Sequence, residues 1–319
     1  MRIGSFLISI ALVGSIANAT VEPVHLAPST PWAVDYAENS CRLVRHFGEG
    51  PNETTLAFES EAPGALDMMI VGKPLATHDE SVLARFVPGQ RGGIGGSPAL
   101  AADRATPALL FSHVPMISDD DMAAIAKLSA EEKAHPNRRP PPLNLSERAS
   151  RKAQHDAFVA KVSVLEVVLH RGVQILLDTG PLGDAFKAFD QCTHDSMRDW
   201  GLDPDVQDKI VRPVWTSSPA AWFSASDYPR EMVALGQESR VKVRLLVDAT
   251  GRVTKCTALS HFDQPEFNRI TCAAFVKRAR FEPAELSDGT KVPSYYLNEV
   301  VFILSNCTGP CGSAELPPM

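Results

Sequence analysis

Six cysteines give this 319-residue chain its most specific chemistry. No Cys-x-x-Cys pair occurs among them and no histidine is spaced to complete a zinc site, so the pattern predicts no metal centre and no cofactor. An even number of cysteines favours disulfides instead, because the N-terminal residues predict an exported chain. The cysteines predicted to form disulfides are Cys41, Cys192, Cys256, Cys272, Cys307 and Cys311.

The pairing of these cysteines is suggested by the elements predicted around them. Cys256 falls on a predicted strand and Cys272 on the helix expected to pack over it. A bond between them would close a loop of about 15 residues and stabilise the fold by roughly 3 kcal/mol. The last two cysteines would close a small loop near the C-terminus. This leaves Cys41 to pair with Cys192, which lies on the apolar stripe of another predicted helix.

The last two cysteines also allow a redox interpretation. Cys307-Thr308-Gly309-Pro310-Cys311 places two thiols close together in the sequence. In redox motifs a helix N-terminus lowers the thiol pKa, and no helix is predicted at this tail. A structural disulfide is therefore preferred, with a redox role as the alternative.

A second candidate for chemistry is the segment Leu176-Leu177-Asp178-Thr179-Gly180. Two apolar residues before Asp-Thr-Gly resemble the active-site loop of an aspartic-type peptidase, in which two carboxylates share a proton. Such an enzyme needs a second copy to supply the other aspartate and a later strand that ends in an apolar-apolar-Gly turn, whereas a helix and then a linker are predicted downstream. The preferred interpretation is a strand end at which Asp178 and Gly180 turn the chain into a helix. The peptidase is kept as the alternative function.

Other catalytic and binding motifs are absent from the sequence. No Gly-x-Ser-x-Gly supports a serine hydrolase, and no His-Glu-x-x-His supports a zinc hydrolase. Gly92-Gly93-Ile94-Gly95-Gly96-Ser97 lacks the phosphate-loop pattern and is predicted to be a flexible loop. The net charge of −7 gives no reason to expect nucleic-acid binding.

The first two thirds of the chain predict a mixed, mostly β domain. Short alternating segments predict four early strands, and two later strands are expected to pair through a tight turn. Residues 182–200 carry apolar side chains along one face and predict a helix that Gly201 ends. The predicted strands cover residues 41–47, 54–58, 66–71, 82–87, 162–169 and 173–177.

The last third of the chain shows a sharper pattern. Residues 241–247 alternate apolar and polar side chains, which is typical of a half-buried strand. Asp248-Ala249-Thr250-Gly251 predicts a hairpin turn, and residues 253–259 the return strand. A helix over 263–279 and a final strand over 295–304 complete the order strand, strand, helix, strand.

The first nineteen residues predict a secretory signal peptide that is cleaved before Thr20. Arg2 supplies the positive charge, residues 3–16 the apolar stretch, and Ala17-Asn18-Ala19 the small-residue cleavage site. The apolar stretch is shorter than the roughly 20 residues that a spanning helix needs. An uncleaved inner-membrane anchor is the alternative, and contact with a membrane is expected only in that case.

The last third resembles the TonB C-terminal domain family of Gram-negative bacteria. Tyr228-Pro229 matches the family's opening Tyr-Pro, and residues 241–253 resemble its V-x-V-x-F-x-V-x-x-x-G-x-V core, with Leu245 at the Phe position. Residues 278–284 resemble the R-x-R-F-x-P-A segment, and Asp288-Gly289 fits the turn before the last strand. Several motifs of the family therefore occur in this sequence in the same order and with similar spacing.

The N-terminal part more loosely resembles the leader domain of Gram-negative periplasmic proteins that carry this module, and the resemblance implies no activity for it. The residues that carry it are Trp32, Tyr36-Ala37, Cys41, Leu43, Arg45, Phe47-Gly48, Cys192 and Trp200-Gly201. The chain is thus predicted to be α+β, a mostly β N-terminal domain before a small β-β-α-β domain. The predicted boundaries are a signal peptide over 1–19, a domain of unknown role over 20–205, a linker over 206–225, the TonB-like domain over 226–306 and a tail over 307–319.

The C-terminal resemblance implies a non-enzymatic, periplasmic binding protein linked to TonB-dependent transport across the membrane. Family members bind extended peptides of outer-membrane receptors by strand addition, in which an unpaired sheet edge offers its backbone N–H and C=O groups. A cleaved leader favours a soluble binding protein, whereas a retained one favours energy transduction. The partner-binding residues that the resemblance implies are Tyr228, Pro229, Tyr296, Asn298, Val300 and Phe302.

A local excess of basic residues overlaps this domain. Residues 230–280 carry ten Lys and Arg against five Asp and Glu. The preferred interpretation is a solvated sheet face together with cations at a helix C-terminus. The alternative is a surface for an acidic partner or a polyanionic envelope component.

Overall fold

The computed structural model describes residues 22–123, 139–169, 172–217, 219–259 and 265–304. The predicted signal peptide and the pair Cys307 and Cys311 lie outside these residues. Strands and helices are mixed within them, which confirms the predicted α+β class. None of the helices in this part of the chain is both long and apolar enough to cross a membrane.

The N-terminal region is built on one ten-stranded sheet, in which all neighbouring strands are antiparallel except the pair β1 and β10. Four of its strands fall where alternation in the sequence predicted them early in the chain. Its strands are β1 (Val24–Leu26), β2 (Ala33–Tyr36), β3 (Cys41–Phe47), β4 (Thr54–Ser60), β5 (Asp67–Gly72), β6 (Val82–Val87), β7 (Ile94–Leu100), β8 (Pro107–Phe111), β9 (Val164–Val168) and β10 (Gln174–Leu177), arranged in the order β1-β10-β9-β6-β7-β8-β5-β4-β3-β2.

From Ile94 onward the glycine-rich segment is a strand, so the prediction of a flexible loop was wrong for residues 94–97. The first half of β7 pairs with β6 and its second half with β8. Phe111 packs directly over Gly96, where a Cβ atom would lie 2.4 Å from the Phe111 ring. Glycine is therefore needed for close packing, because it leaves room for an aromatic ring on the strand.

Two long helices, α1 (Leu145–Lys161) and α2 (Gly183–Asp199), accompany the sheet. Helix α2 packs on β2 and β3 through its apolar stripe, which includes Phe186 and Phe189. Cys192 on this stripe bonds to Cys41 of β3, with 6.0 Å between the Cα atoms. Helix α1, in contrast, buries only Phe158 and Val159 near its C-terminal end.

The C-terminal region has two small sheets and one main helix. The first sheet has the order β11-β14-β15 and the second the order β13-β12-β16. The elements are α3 (Pro204–Gln207), β11 (Ile210–Arg212), α4 (Arg230–Ala234), β12 (Ser239–Val247), β13 (Val253–Ala258), α5 (Pro265–Arg278), β14 (Ala284–Leu286), β15 (Lys291–Val292) and β16 (Ser294–Phe302).

The predicted hairpin and helix of this region are present. Gly251 closes the turn between β12 and β13 at a φ of +82°, and its C=O accepts from the Phe281 N–H at 2.9 Å. A Cβ atom at this position would lie 1.9 Å from the Phe281 carbonyl oxygen, so only glycine fits. Cys256 on β13 bonds to Cys272 on α5, which confirms the second described disulfide.

Residues 206–225, predicted as a linker, contribute to the C-terminal core. Strand β11 pairs with β14, and short 3-10 turns follow at Pro219–Trp222 and Ala225–Asp227. Ile210, Val214 and Trp222 are buried with the residues of β12. The buried side chains of these three residues anchor the segment, because burial of apolar surface stabilises the folded chain.

Candidate functional site

The strand β16 forms one edge of the C-terminal sheet. It pairs with the central strand β12 in a continuous antiparallel register from Ser239 opposite Phe302 to Val247 opposite Ser294. Strand β13 lies on the other side of β12. Among the described residues no strand pairs with the outer side of β16, so its outward backbone groups are available to another chain.

The hydrogen-bond pattern identifies which residues of β16 point outward. The Lys242 carbonyl accepts from the Leu259 N–H at 2.8 Å and the Asp248 N–H donates to Arg252, so the even-numbered residues of β12 bond toward β13. In an antiparallel strand, alternate residues bond to opposite sides. The odd-numbered residues of β12 therefore bond to Tyr296, Asn298, Val300 and Phe302, their partners in the register. The outward residues of β16 are consequently Tyr295, Leu297, Glu299 and Val301.

The predicted contact residues on β16 face the domain core. Val300 and Phe302 are buried, and the Tyr296 ring packs on Phe281 at a centroid distance of 4.9 Å. Asn298 stands opposite Val243 on the same face. The side chains of these four residues lie on the core side of the strand, while the open backbone hydrogen-bonding groups belong to their odd-numbered neighbours. Sequence reasoning missed those neighbours, although the alternation of the strand separates the two sets.

Tyr228 and Pro229 lie at the Phe302 end of β16. The Tyr228 ring packs edge-on against Phe267 and Phe302, and its hydroxyl donates to the Gln237 carbonyl at 2.6 Å. Burial raises the Tyr228 pKa, with a contribution from Glu238. Both residues also line a groove of about 460 Å³ along α5. The Tyr-Pro pair thus closes the core beside the last strand.

The opposite face of the sheet is covered by the N-terminal domain. The Lys242 ammonium group donates to Glu61 at 2.7 Å and to Asp67 at 2.9 Å. Burial opposes its charge, but the hydrogen bonds to the two carboxylates leave the Lys242 pKa above its ordinary value. The acidic partner of this basic strand is therefore within the same chain, and the solvated-face interpretation was wrong for Lys242.

Arg244 is the most buried cation of this interface, at 4% exposure. Its guanidinium group donates to the backbone carbonyls of Asn39 at 3.0 Å and Glu61 at 2.7 Å. It also lies 3.7 Å from the centre of the Trp200 ring, in a cation–π contact. Burial lowers the Arg244 pKa to about 10, with Glu61 opposing the shift. Arg244 thus links three separate segments of the N-terminal domain to the C-terminal sheet.

Tyr295 extends this interface to the start of β16. Its hydroxyl donates to the Pro63 carbonyl at 2.9 Å, and its ring packs edge-on against Trp200. Next to it, the Gln207 amide donates to the Pro293 carbonyl at 2.9 Å and accepts from the Ser294 hydroxyl at 2.6 Å. The open part of the β16 edge therefore begins at Tyr295.

The ionisation of Tyr295 is expected to report on this interface. Burial raises its pKa to about 12, whereas the ordinary pKa of tyrosine in an unfolded chain is about 10. Because the folded-state pKa is the higher one, the stability contributed by the neutral phenol is full below about pH 10 and is lost as the pH rises toward about 12. Ultraviolet difference titration of the wild type against Tyr295→Phe measures this; a Tyr295 midpoint near 10 would show that the ring is not buried there.

Asp178-Thr179-Gly180 forms the turn between β10 and α2, as the preferred interpretation predicts. Gly180 adopts a φ of +61°, and the buried Thr179 carbonyl accepts from the Arg45 guanidinium at 2.8 Å and the Trp32 indole at 3.3 Å. In the part of the chain that is described, no second carboxylate is hydrogen-bonded to Asp178. These contacts give the peptidase alternative no support. Within the same ranges, no group of three His, Cys, Asp or Glu side chains could hold a metal ion.

The domain built on β12, β13, α5 and β16 matches a known family. Residues 224–304 match the family model for the Gram-negative bacterial TonB protein C-terminal. No curated protein matches the chain. The match covers the described hairpin, main helix and edge strand, which are the elements on which the resemblance in the sequence depends. Residues 224–304 of this chain are therefore a TonB C-terminal-type domain.

Proposed function

We propose that this chain is a non-enzymatic binding protein of the cell envelope that captures extended segments of outer-membrane receptor proteins by strand addition to β16. The open edge of β16 carries the proposal, because its outward backbone groups are the chemistry that an added strand requires. The TonB C-terminal-type domain supports the class of partner. Two disulfides agree with an oxidising compartment such as the periplasm.

The packing of the two domains favours the edge over either sheet face as the binding surface. One face of the sheet is filled by α5 and the buried residues Phe267 and Phe275. The other face meets the N-terminal domain through Lys242, Arg244 and Tyr295. A partner that used either face would have to displace buried contacts. A partner that adds to the edge leaves both faces intact and displaces none of these buried contacts.

Proline at an outward position of β16 is expected to weaken binding and leave the fold intact. Glu299→Pro removes one outward N–H and keeps the bonds to β12, as edge positions tolerate. We expect affinity for peptides from the periplasm-facing segments of outer-membrane receptors to fall about 10-fold, the effect of roughly one lost hydrogen bond. Fluorescence anisotropy of labelled peptides measures the change.

Two control variants test whether the lost affinity comes from the missing N–H of residue 299, rather than from its lost side chain or from proline at any sheet edge. Glu299→Ala removes the exposed ion pair with Arg240, whose N–O distance is 3.2 Å, but keeps the backbone N–H, and should bind like the wild type. Ala258→Pro makes the equivalent change on the far edge, β13, and should also bind normally. Equal losses in the two proline variants, or binding that persists in Glu299→Pro, would refute strand addition at β16. Sedimentation of each variant detects edge-to-edge dimers, the competing use of the strand.

A further inference from the structure

The open edge of β16 meets a cleft of the N-terminal domain at Tyr295. The backbone of Tyr295 points to the open side of the strand, and its ring and hydroxyl contact Trp200 and Pro63. Gln207 occupies the preceding outward backbone group, the carbonyl of Pro293. Gln207 therefore lies on the open side of β16, directly in line with the edge.

Two adjoining cavities open at this point. The smaller, of about 270 Å³, is lined by Tyr295 and Gln207 together with residues of α1. The larger, of about 880 Å³, continues between α1 and α2 over the loop after β4. Because five residues line both, the cavities form one cleft that starts at the end of the open edge. The shared residues are Pro63, Arg148, Arg151, His194 and Asp208.

The cleft is lined by charged side chains of both signs and by apolar side chains. The Arg148 guanidinium donates to the carbonyls of Gln207, Asp208 and Ile210 at 3.3–3.4 Å and pairs with the Asp208 carboxylate at 3.7 Å. Glu147 also lines the smaller cavity. Arg151 is exposed on the same side of α1, and no hydrogen bond or ion pair engages its side chain among the described residues. The walls include Leu143, on the smaller cavity, and Leu145, on the larger, and both are more than a third exposed. Arg151 therefore leaves a guanidinium fork open to a carboxylate side chain on an extended peptide, because that fork matches carboxylate geometry.

We infer that the cleft receives the end of the partner segment that pairs with β16 and selects segments with acidic residues beside the pairing stretch. This inference rests on the proposed function and adds a recognition role for the N-terminal domain. An extended chain advances about 3.3 Å per residue, so two residues beyond the pairing stretch extend about 7 Å past Tyr295 toward the cleft. Arg151 is then the specificity-determining residue, and Arg148 is fixed beside it.

Three synthetic peptides test this inference on the full chain. Each has the same alternating Val-Thr pairing stretch; one carries Asp-Asp at its N-terminal end, one carries Asp-Asp at its C-terminal end, and one carries Asn-Asn. We expect one of the acidic peptides to bind about 10-fold more tightly than the Asn-Asn peptide, with the preferred end reporting strand direction. Arg151→Glu should abolish that preference. Arg252→Glu makes the same change of charge at the β12–β13 turn and should preserve it.

The outcomes distinguish the cleft from strand addition itself. Equal binding of the three peptides, or equal effects of Arg151→Glu and Arg252→Glu, overturns the role of the cleft. If in that case the Asn-Asn peptide still loses affinity in Glu299→Pro, strand addition stands and only the cleft is refuted. If none of the peptides binds, strand addition fails and the inference fails with it.

Discussion

Replacing Cys41 and Cys192 together by Ala is expected to lower the free energy of unfolding of the N-terminal domain by about 5 kcal/mol, the largest effect predicted for this chain. The two cysteines are 151 residues apart in sequence and almost completely buried. Their bond fixes α2 to β3, so it removes much of the conformational freedom that the unfolded chain would otherwise have. Urea denaturation followed by circular dichroism measures the loss.

The second disulfide provides the matched control. Cys256 and Cys272 are only 16 residues apart, so the same model gives a loss of about 3 kcal/mol when both become Ala. We expect this loss in the C-terminal domain, which contains both cysteines. Losses of equal size, or a Cys41 and Cys192 double variant as stable as the wild type, would contradict the expectation that the longer loop contributes more.

Arg244→Ala is expected to weaken the docking of the two domains by about 4 kcal/mol. The variant leaves the Asn39 and Glu61 carbonyls without their donor, at roughly 1–3 kcal/mol for each unsatisfied buried group, and it removes the cation–π contact with Trp200. Denaturation followed by Trp fluorescence is expected to show the transitions of the two domains separating.

Two substitutions on the same strand test the cause. Arg244→Lys keeps the charge but lacks the planar guanidinium group, whose Nη1 donates to both carbonyls while its plane lies over the Trp200 ring, so it should be intermediate. Arg240→Ala removes a cation on the same face that is exposed and paired with Glu299, and it should cost at most about 0.5 kcal/mol. Losses of the same size for Arg240→Ala and Arg244→Ala would show that charge alone, rather than the buried contacts, holds the domains.

The local elements of the C-terminal domain are predictable from sequence. Alternation over 241–247 and the glycine at the following turn define β12 and its hairpin, because both depend on neighbouring residues only. The disulfide between Cys256 and Cys272 follows from the same reasoning, since a strand and the helix over it bring the two side chains together. The family match extends over the same residues.

The contacts between domains were not predictable in the same way. Alternation places Lys242 and Arg244 on the face opposite the core, but it does not indicate what packs there. That depends on Glu61, Asp67 and Trp200, which are far away in sequence. The prediction for the glycine-rich segment was wrong for a similar reason. Gly96 lies in a strand under the ring of Phe111, and Phe111 is distant from it in sequence.

Strand addition at β16 depends on which of its residues bond to β12 and which have open backbone groups. The sequence predicts this difference only in part. The residues implied by the family resemblance, such as Asn298 and Val300, bond to β12, and their neighbours Leu297 and Glu299 hold the open groups. Alternation predicts two sets of residues on β16. The hydrogen bond from Leu259 to Lys242 assigns each set to its side, and only the folded hairpin supplies that bond.

Amide hydrogen exchange along β16, resolved residue by residue by NMR, tests the open edge most directly. In the free chain the amides of Leu297, Glu299 and Val301 should exchange quickly, while those of Asn298 and Val300 should be protected by β12. Adding a receptor-derived peptide should protect the first three and leave the others unchanged. Uniform protection along β16 in the free chain, or peptide binding without new protection at Leu297, Glu299 and Val301, would contradict strand addition at this edge.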